Sequence, residues 1–377
     1  MMKIKRIVLI GGVLNNNFGG PAIVVGLANV LKRICLGIKL IFLSPDVRDL
    51  KLSKVYNITV VHYSLRNPIG FMALMKNIVM ADMIVDIRGI AFTDAFGDNF
   101  LLRLLEGIHI LLGRLLKKKL IKYSADMGPF RKRWNRVFAR FYLNMLDLII
   151  ARSVETRKHL LALGVKKAIR VCPDVSFLLK PANVPRPVSG PIVGVCVSSM
   201  AFKQAGGKRY ITAMVKLVRH VVEELNAHVL LIPNETFPER FNDVNVAFEI
   251  LSRIPENIKH KVLILTRPKT AHELKAAISW CDLVISARYH TIIAALSLGI
   301  PTIAISWHHK YREFMRLLGQ ELFVCDINKL DAQHLCKMTD TLWVKRNEIS
   351  EEINKRMKKL KKRVLSITKD VFSRLLT

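Results

Sequence analysis

An arginine and a histidine interrupt an otherwise apolar stretch in the C-terminal half of the sequence. Residues 283–301 read LVISARYHTIIAALSLGIP, a run of branched apolar residues followed by an apolar helical pattern that stops at Gly299 and Pro301. Arg288 and His290 stand at the join. A guanidinium holds carboxylate or phosphate through its planar fork, and an imidazole exchanges protons near neutral pH. This pair of residue types is suited to acid–base chemistry on an anionic substrate.

The expected position of this pair is the carboxyl end of a buried parallel strand, where open α/β sheets bind their ligands. A helix predicted to begin near Thr291 adds free backbone N–H groups and the positive end of its dipole. If the backbone stays extended, Arg288 and His290 point to the same side. The next predicted strand, residues 302–307, delivers Lys310 to the same edge. The pattern predicts an anion site, and the alternative is a structural ion pair of Arg288 with His290 as a helix cap.

Short β-branched runs alternate with longer amphipathic stretches along most of the chain. This alternation predicts parallel sheets covered by helices on both faces. The candidate strands are residues 6–12, 39–44, 58–63, 83–89, 120–128, 146–153 and 169–174, and then 192–199, 228–234, 261–266, 283–288, 302–307 and 322–326.

A proline-rich segment with few large apolar residues separates the two groups of strands. It reads KPANVPRPVSGP and indicates an interdomain linker. The predicted domains are residues 1–180 and 192–340, joined by the linker 181–191 and followed by a basic helical tail over 341–377. We therefore predict an α/β fold of two Rossmann-like parallel-sheet domains facing across a cleft, a GT-B-like arrangement, with a helical C-terminal tail.

The chain of 377 residues is strongly basic, with 60 Lys and Arg against 29 Asp and Glu and a formal net charge of +31. Such an excess indicates partners rather than a fold: nucleic acid, an anionic membrane surface or anionic substrates. No segment approaches the roughly 18 uncharged apolar residues that a membrane span needs. The six cysteines are scattered and form no C-x-x-C pair, which favours buried, reduced thiols and a cytoplasmic setting.

The segment CDLVISARYHTIIAALSLGIPTIAISWHHKYREFMRLLG resembles the C-terminal signature of the polysaccharide pyruvyl transferase family. That family carries an apolar strand, Arg-x-His, an Ala-rich helix, Gly-x-Pro, another strand and a Lys shortly after it. The residues that match position by position are Arg288, His290, Gly299, Pro301 and Lys310.

Other parts of the chain are similar to the family more loosely. IVLIGGVLNNNFGGPAI resembles the opening strand and asparagine–glycine loop, with Gly20 where an Asp is common. Two departures point to a changed acceptor or another activity. Asn234 stands where a His often follows the Pro of LIPNETF, and VGVCVSSM lacks the arginine often found after the first strand of the second domain.

The resemblance implies transfer of a pyruvyl group from phosphoenolpyruvate to two sugar hydroxyls, as a ketal, with release of phosphate. The acceptor would be a cell-surface polysaccharide or its lipid-linked precursor. Arg288 and Thr291 would bind the donor, His290 would move protons between the hydroxyl and the enol carbon, and Lys310 would stabilise the departing phosphate. No cofactor beyond the donor substrate and no metal are expected, because no metal-ligand spacing occurs and His308 and His309 are adjacent.

The first domain supplies weaker candidates for substrate contacts. GGVLNNNFGGP is a strand, a polar Gly/Asn loop and a Pro-started helix, a geometry that binds phosphate or sugar. An ordinary βα turn explains the pattern equally well. DIRGIAFTDAFGD follows another strand and is either a substrate loop or a solvated one. With Asn234 of the second domain, the candidate contacts are Asn16, Asn17, Gly20, Arg88 and Asp94.

Positive charge is concentrated in residues 99–142, where NFLLRLLEGIHILLGRLLKKKLIKY and RKRWNRVFARFY join cations to Leu, Trp and Phe. Basic amphipathic helices of this composition lie at anionic membrane surfaces. We therefore expect a protein that is peripherally associated with the inner face of the membrane. The alternative is a solvated basic face over an ordinary core stripe.

Two other function classes stay open at this point. A glycosyltransferase that uses a nucleotide sugar would share the fold. Glu313 and Glu321 have the E-x7-E spacing, although Glu313 follows the wrong strand for a contact with the donor ribose. A basic nucleic-acid-binding protein is the remoter alternative. Against this alternative, the sequence contains no known nucleic-acid-binding motif, and only 7% of its residues are aromatic.

Overall fold

The computed structural model describes residues 6–15, 17–35, 37–94, 105, 107–236, 241–266, 270–307 and 310–376. By their internal contacts the residues form two compact units. The first unit comprises residues 1–15, 20–175 and 362–377, and the second comprises residues 16–19 and 176–361.

The first unit is built on a parallel sheet of strands in the order β3-β2-β1-β4-β6-β7-β8, with β5 paired to β6. These strands are runs of branched apolar residues, as expected where helices cover both faces. Their bounds are β1 (Arg6–Ile10), β2 (Lys39–Ser44), β3 (Thr59–His62), β4 (Met83–Asp86), β5 (Ile90–Ala91), β6 (Lys119–Met127), β7 (Leu148–Ala151) and β8 (Ala168–Val171).

Helices of the first unit connect these strands. Asn67 caps one helix by accepting a hydrogen bond from the Gly70 N–H, and Ser153 caps another by accepting one from the Thr156 N–H. The bounds are α1 (Gly19–Ile34), α2 (Ser53–Tyr56), α3 (Pro68–Met80), α4 (Ile108–Leu115), α5 (Arg133–Leu143) and α6 (Val154–Ala162), with a 3₁₀ turn at Val47–Leu52. A further 3₁₀ turn, Val175–Leu178, lies where the chain passes from the first unit to the second.

The second unit holds a second parallel sheet in the order β11-β10-β9-β12-β13-β14. Its central strands, β9 and β12, are buried along their whole length. The bounds are β9 (Ile192–Cys196), β10 (His228–Leu231), β11 (Val262–Ile264), β12 (Leu283–Ser286), β13 (Thr302–Ser306) and β14 (Val324–Asp326).

Helices also cover the second sheet and continue into a long C-terminal helix. Their bounds are α7 (Ser199–Ala205), α8 (Gly207–Glu223), α9 (Asp243–Ser252), α10 (Glu256–Lys259), α11 (Ala271–Ser279), α12 (Tyr289–Ser297), α13 (Lys310–Leu317), α14 (Ala332–Val344) and α15 (Arg346–Leu376), with 3₁₀ turns at Glu321–Phe323 and Ile327–Lys329.

The predicted linker has no helix or strand of its own but is hydrogen-bonded into the second unit. The Ala182 N–H donates to the His272 carbonyl, and Trp280 Nε1 donates to the Val184 carbonyl at 3.2 Å. The proline-rich segment therefore packs against the unit that follows it. The physical reason is that its backbone groups find partners at the start of α11 and at Trp280, the residue that follows α11.

The C-terminal helix α15 packs within both units along its 31 residues. Residues up to 361 belong to the second unit, where a Cβ on Gly299 would lie 2.4 Å from the Asn354 amide. Residues from 362 onward belong to the first unit, where Tyr123 Oη and Thr368 Oγ1 are 2.6 Å apart. The predicted basic tail is a helix whose apolar stripe is buried.

A buried ion pair fixes the carboxyl end of β4 in the first sheet. Lys122 Nζ donates to Asp86 Oδ1 at 2.8 Å and to the Arg88 carbonyl at 2.9 Å, and His109 Nε2 lies 3.2 Å from Asp86 Oδ2. Burial by itself raises the pKa of Asp86, but Lys122 and His109 hold that pKa well below its usual range. Burial lowers the pKa of Lys122 to about 8. The cluster ties β4 and β6 to the loop that carries Arg88.

A second buried cluster joins the ends of β6, β7 and β8. Arg152 Nη1 is 3.0 Å from Asp126 Oδ2, and its Nη2 is 3.1 Å from Asp174 Oδ2. The same guanidinium donates to the carbonyl of Ser124, where the register between β6 and β7 shifts. A Cβ on Gly89 would meet Arg152 Nη2 at 2.6 Å, so the loop after β4 packs directly on this arginine.

We expect Lys122→Met to lower the free energy of unfolding by about 3–5 kcal/mol, because the buried Asp86 carboxylate loses its cation. Urea denaturation followed by circular dichroism measures this change. The matched control Lys117→Met replaces an exposed lysine and should change stability by about 0.5 kcal/mol or less. Wild-type stability in the Lys122→Met protein would contradict the importance of this pair.

Candidate active site

The carboxyl edge of the second sheet gathers polar side chains from four strand ends. Ser199 follows β9, Asn234 follows β10, Arg288 follows β12, and Trp307 follows β13. Such an edge is where parallel α/β sheets bind ligands. The prediction that Arg288 and His290 lie at the carboxyl end of a buried strand agrees with this geometry.

The turn after β12 changes conformation at Arg288. Its backbone is extended, with φ −113° and ψ 121°, and helix α12 begins at the next residue, Tyr289. Ser286 Oγ accepts from the Arg288 N–H at 3.0 Å and donates to the Arg288 carbonyl at 3.0 Å. The expectation of an extended backbone through His290 is therefore not met, since His290 already lies in the first helical turn.

The guanidinium of Arg288 is held by two carboxylates of the protein. Its Nε donates to Asp243 Oδ2 at 2.9 Å, and its Nη2 donates to Glu235 Oε2 at 2.6 Å and also reaches Asp243 Oδ1. Ser199 Oγ accepts a further hydrogen bond at 3.2 Å. The side chain of Arg288 is 14% exposed, and that of Asp243 is fully buried.

This pairing corrects the expectation that the planar fork of Arg288 grips the donor. Burial alone would lower the pKa of Arg288, but Asp243 outweighs that effect, with help from Glu235, and raises it above its ordinary value. The cation is permanent, and two carboxylates of the protein face it. Nη1 is the guanidinium nitrogen that makes no hydrogen bond with the residues that the structure describes.

Asp243 is the centre of this edge and was not identified from the sequence. As the first residue of α9, it accepts hydrogen bonds from the backbone N–H groups of Ser199, Asn234 and Glu235, at 2.8, 3.2 and 2.9 Å. It therefore fixes the loops after β9 and β10 as well as Arg288. The only local signal is the Asn242-Asp243 pair, a helix-start pattern that says nothing about a partner 45 residues away.

Thr291 and Asn234, both predicted to bind substrate, are turned into the unit. Thr291 is fully buried and Asn234 is 4% exposed. Asn234 Nδ2 donates to Thr291 Oγ1 at 2.9 Å, and Cys196 Sγ lies 3.2 Å from the same oxygen. The polar atoms of Asn234 and Thr291 bond to each other inside the unit. In this structure the two residues therefore help to hold the turn that carries Arg288.

His290 is partly exposed and packs against a glycine from the start of the chain. A Cβ on Gly19 would lie 2.1 Å from His290 Nδ1, so the imidazole occupies the space that any larger residue would need. Asn17 Oδ1 accepts from the Gly19 N–H at 3.0 Å, and Asn17 forms an antiparallel bridge with Glu235. Residues 17–19 thus belong to the same cluster as Arg288 and His290, while the predicted contact Asn16 lies outside the described residues.

Lys310 sits among aromatic rings at the start of α13. Its Nζ is 4.8 Å from the ring centre of Tyr289, 5.5 Å from that of Trp307 and 6.0 Å from that of Tyr311. Trp307 Nε1 and Tyr311 Oη both donate to the Ala287 carbonyl, at 3.1 and 3.0 Å. These rings hold the end of β12 and place a buried cation beside it. His308 and His309 lie outside the described residues.

The structure places the predicted substrate contacts Arg88, Asp94 and Gly20 at three different points of the first unit. Arg88 is partly exposed after β4, and its N–H donates to Asp86 Oδ1 at 2.9 Å. Asp94 holds the start of α5, since its carboxylate accepts from the Arg131 and Lys132 N–H groups and from Asn135 Nδ2. In this structure Asp94 acts as the cap of the loop before α5. Gly20 is the second residue of α1 and is partly exposed.

A cavity of about 440 Å³ opens beside the ends of β13 and β14 in the second unit. Two arginines of α13, Arg312 and Arg316, contribute cations to its wall. The lining residues are Ser306, Trp307, Arg312, Glu313, Arg316, Asp326 and Asn328.

Solved structures of similar fold cover almost the whole chain. HepE from Anabaena in complex with UDP is 14% identical, covers 99% of each chain and superimposes with a TM-score of 0.61. A putative UDP-N-acetylglucosamine 2-epimerase from Listeria monocytogenes is 15% identical, covers 94% of this chain and 91% of its own, and has a TM-score of 0.63. At these identities the similarity establishes the fold alone. The predicted class, two Rossmann-like parallel-sheet units of GT-B-like type with a helical C-terminal tail, is confirmed.

Sequence comparison adds a relative and a family. The amylovoran biosynthesis protein AmsJ of Erwinia amylovora is 23% identical over 282 residues, which is 69% of this chain. The chain spans 65% of the length of that protein. The family model for polysaccharide pyruvyl transferase matches residues 17–309, a range that includes the Arg288 turn and the last residues of the asparagine–glycine loop. The resemblance seen in the sequence is confirmed, and this chain belongs to the polysaccharide pyruvyl transferase family.

Proposed function

We propose that the chain transfers a pyruvyl group from phosphoenolpyruvate to two hydroxyls of a sugar, forming a pyruvate ketal. The acceptor is a cell-surface polysaccharide or its lipid-linked precursor, and the reaction takes place at the cytoplasmic face of the membrane. One observation carries the proposal. In the turn after β12, Tyr289 and Thr291 are buried, whereas Arg288 and His290 keep part of their surface exposed at the ligand-binding edge of the sheet.

The proposed reaction requires a group that transfers protons at the carboxyl edge of the second sheet. Two C–O bonds form between the sugar oxygens and C2 of the donor, and the bond from C2 to the phosphate oxygen breaks. One hydroxyl proton ends on C3, which becomes a methyl group, and the other leaves with phosphate. His290 takes the role of acid and base, because an imidazole exchanges protons near neutral pH and this one is held in place by Gly19.

The two cations take different parts in this scheme. Arg288 positions His290, since Asp243 and Glu235 lock its guanidinium and Ser286 locks its backbone. Its Nη1 is left to meet the carboxylate or phosphate of the donor. Lys310 adds a positive charge within its aromatic surround, where low polarity strengthens attraction to a departing phosphate.

A nucleotide-sugar glycosyltransferase is the second candidate, favoured by the cavity beside β13 and β14. Its wall carries Arg312 and Arg316 for a diphosphate and Trp307 for a base or a sugar. The chemistry of this wall suits a nucleotide better than it suits the small donor phosphoenolpyruvate. The two candidates share the fold and differ in the donor they bind.

The donor is the most direct test of the proposal. We expect phosphoenolpyruvate to raise the melting temperature of the purified protein, because a ligand that binds only the folded state stabilises it. UDP-sugars should leave the melting temperature unchanged, and inorganic phosphate measures the effect of an anion alone. Stabilisation by a UDP-sugar without stabilisation by phosphoenolpyruvate would favour the glycosyltransferase.

We expect His290→Ala to leave donor affinity close to that of the wild type and to lower turnover by about 10²–10⁴-fold, the usual contribution of a positioned acid–base group. Turnover is measured as phosphate released from phosphoenolpyruvate with an acceptor that the wild type uses. His260→Ala, an exposed histidine of the same unit, is the control and should keep full activity. A folded His290→Ala protein with normal turnover would remove His290 from the mechanism.

Gly19→Ala tests whether the position of the imidazole matters. Because the new Cβ would stand 2.1 Å from His290 Nδ1, the ring must move, and we expect turnover to fall by about 10²-fold. Gly12→Ala is the matched control in the same loop, since a Cβ there meets no atom within 4 Å among the described residues. If both variants retained wild-type turnover and melting temperature, the contact would have no functional role.

A further inference from the structure

Helix α3 of the first unit exposes an apolar face where a surface helix is normally polar. Ile69 is 82% exposed, Met72 is 69% exposed and Val79 is 50% exposed, whereas Leu74 and Ile78 face the core. Lys76 is the one charged residue of this helix. A helix that is apolar all round belongs in a covered environment. We therefore expect another molecule to bind this exposed apolar face of α3.

The end of α4 extends this face. Lys118 Nζ donates to the Val79 carbonyl at 2.6 Å, which joins the loop after α4 to the end of α3. Leu115 is 69% exposed, and Lys117 beside it is exposed as well. We call this set the α3–α4 surface, and its members are Ile69, Met72, Lys76, Val79, Leu115 and Lys117.

Helix α5 lies on the same side of the first sheet, because α3, α4 and α5 share one hydrophobic core through Leu74, Ile110 and Ala139. Three of its arginines line a cavity of about 240 Å³, next to the exposed Val137. Residues 107–118 and 131–143, which hold α4, α5 and the loops beside them, contain eight Lys or Arg and no Asp or Glu. Apolar and cationic groups therefore occupy one layer of the unit.

The layer's composition identifies what covers it: we propose that the α3–α4 surface docks on an anionic lipid bilayer. Ile69, Met72, Val79 and Leu115 enter the boundary between headgroups and acyl chains, and the lysines and the α5 arginines bind lipid phosphates. At 1.5 Å per residue, the 13 residues of α3 span about 20 Å, less than the roughly 30 Å of a bilayer core. The helix consequently lies flat on the membrane.

The same charges argue against a second copy of the chain as the cover. A two-fold interface would bring Lys76 and Lys117 of both copies together in a chain whose net charge is +31. In the part of the chain that the structure describes, no helix is long and apolar enough to cross a membrane. Surface docking is the mode of binding that accounts for both observations, and it does not depend on the donor that the enzyme uses.

Sedimentation with lipid vesicles tests this proposal. The full-length protein should bind vesicles of phosphatidylcholine with phosphatidylglycerol and should bind pure phosphatidylcholine weakly. We expect Ile69→Gln/Met72→Gln to weaken binding to anionic vesicles by about tenfold or more, because each apolar side chain leaves the membrane. Lys76→Gln/Lys117→Gln should weaken it by roughly tenfold at low salt and have less effect at high salt.

Two matched control variants in the second unit test whether vesicle binding depends on the α3–α4 surface or on any exposed apolar side chain and any exposed lysine. Leu322→Gln/Val344→Gln removes two side chains that are 84% and 80% exposed, and Lys358→Gln/Lys359→Gln removes two exposed lysines. Both should bind vesicles as the wild type does. All four variants replace exposed residues, so circular dichroism and the melting temperature should match the wild type, and single substitutions replace any double that does not fold.

Three results would overturn the proposal. The first is an equal loss of binding in the control variants, which would show that binding depends on the overall hydrophobicity and charge of the protein and not on this surface. The second is tighter binding to duplex DNA than to anionic vesicles with no effect of Ile69→Gln/Met72→Gln, which would identify a nucleic-acid surface. The third is a dimer that this double variant dissociates while vesicle binding is unchanged, which would identify a second copy.

Discussion

The buried ion pair between Asp243 and Arg288 is the interaction on which the candidate active site depends. Burying either charge without its partner would strongly destabilise the fold, so Asp243 and Arg288 require each other. Through its oxygens Asp243 also holds the backbone after β9 and after β10. The end of β12, where the turn with His290 begins, is thereby registered against its neighbours. The result is a rigid edge, which is what a catalytic group needs in order to meet a reacting atom at a fixed distance.

The first sheet uses the same device with different residues. Asp86 with Lys122, and Arg152 with Asp126 and Asp174, place paired charges at strand ends that would otherwise carry unsatisfied polar groups. Parallel sheets bury their strands on both faces, so the ends are the places where polar side chains gather. These clusters favour fixed loops over maximal stability, since apolar packing often stabilises as well as a buried ion pair. In both units the loops that follow the strands are therefore held by charge.

The surface of the first unit has a different character from its edge. The exposed apolar side chains of α3 and α4 are interspersed with lysines, and the neighbouring α5 is rich in arginine. A soluble surface usually keeps large apolar groups apart and mixes charges of both signs. This layer does neither, and a lipid surface satisfies both of its components at once. In our proposal, an acceptor linked to lipid would lie in the same membrane on which the α3–α4 surface docks.

The sequence by itself determined the alternation of strands and helices, because continuous branched apolar runs between amphipathic segments have few other solutions. It also determined that Arg288 and His290 follow a buried strand. Only the tertiary structure decided what those residues touch: Asp243 lies 45 positions away from Arg288, and Gly19 reaches His290 from the other end of the chain. The inward placement of Thr291 and Asn234 and the outward apolar face of α3 were decided in the same way. Periodicity records which residues share a face of a helix or strand, but the partner of that face is set by packing between segments distant in sequence.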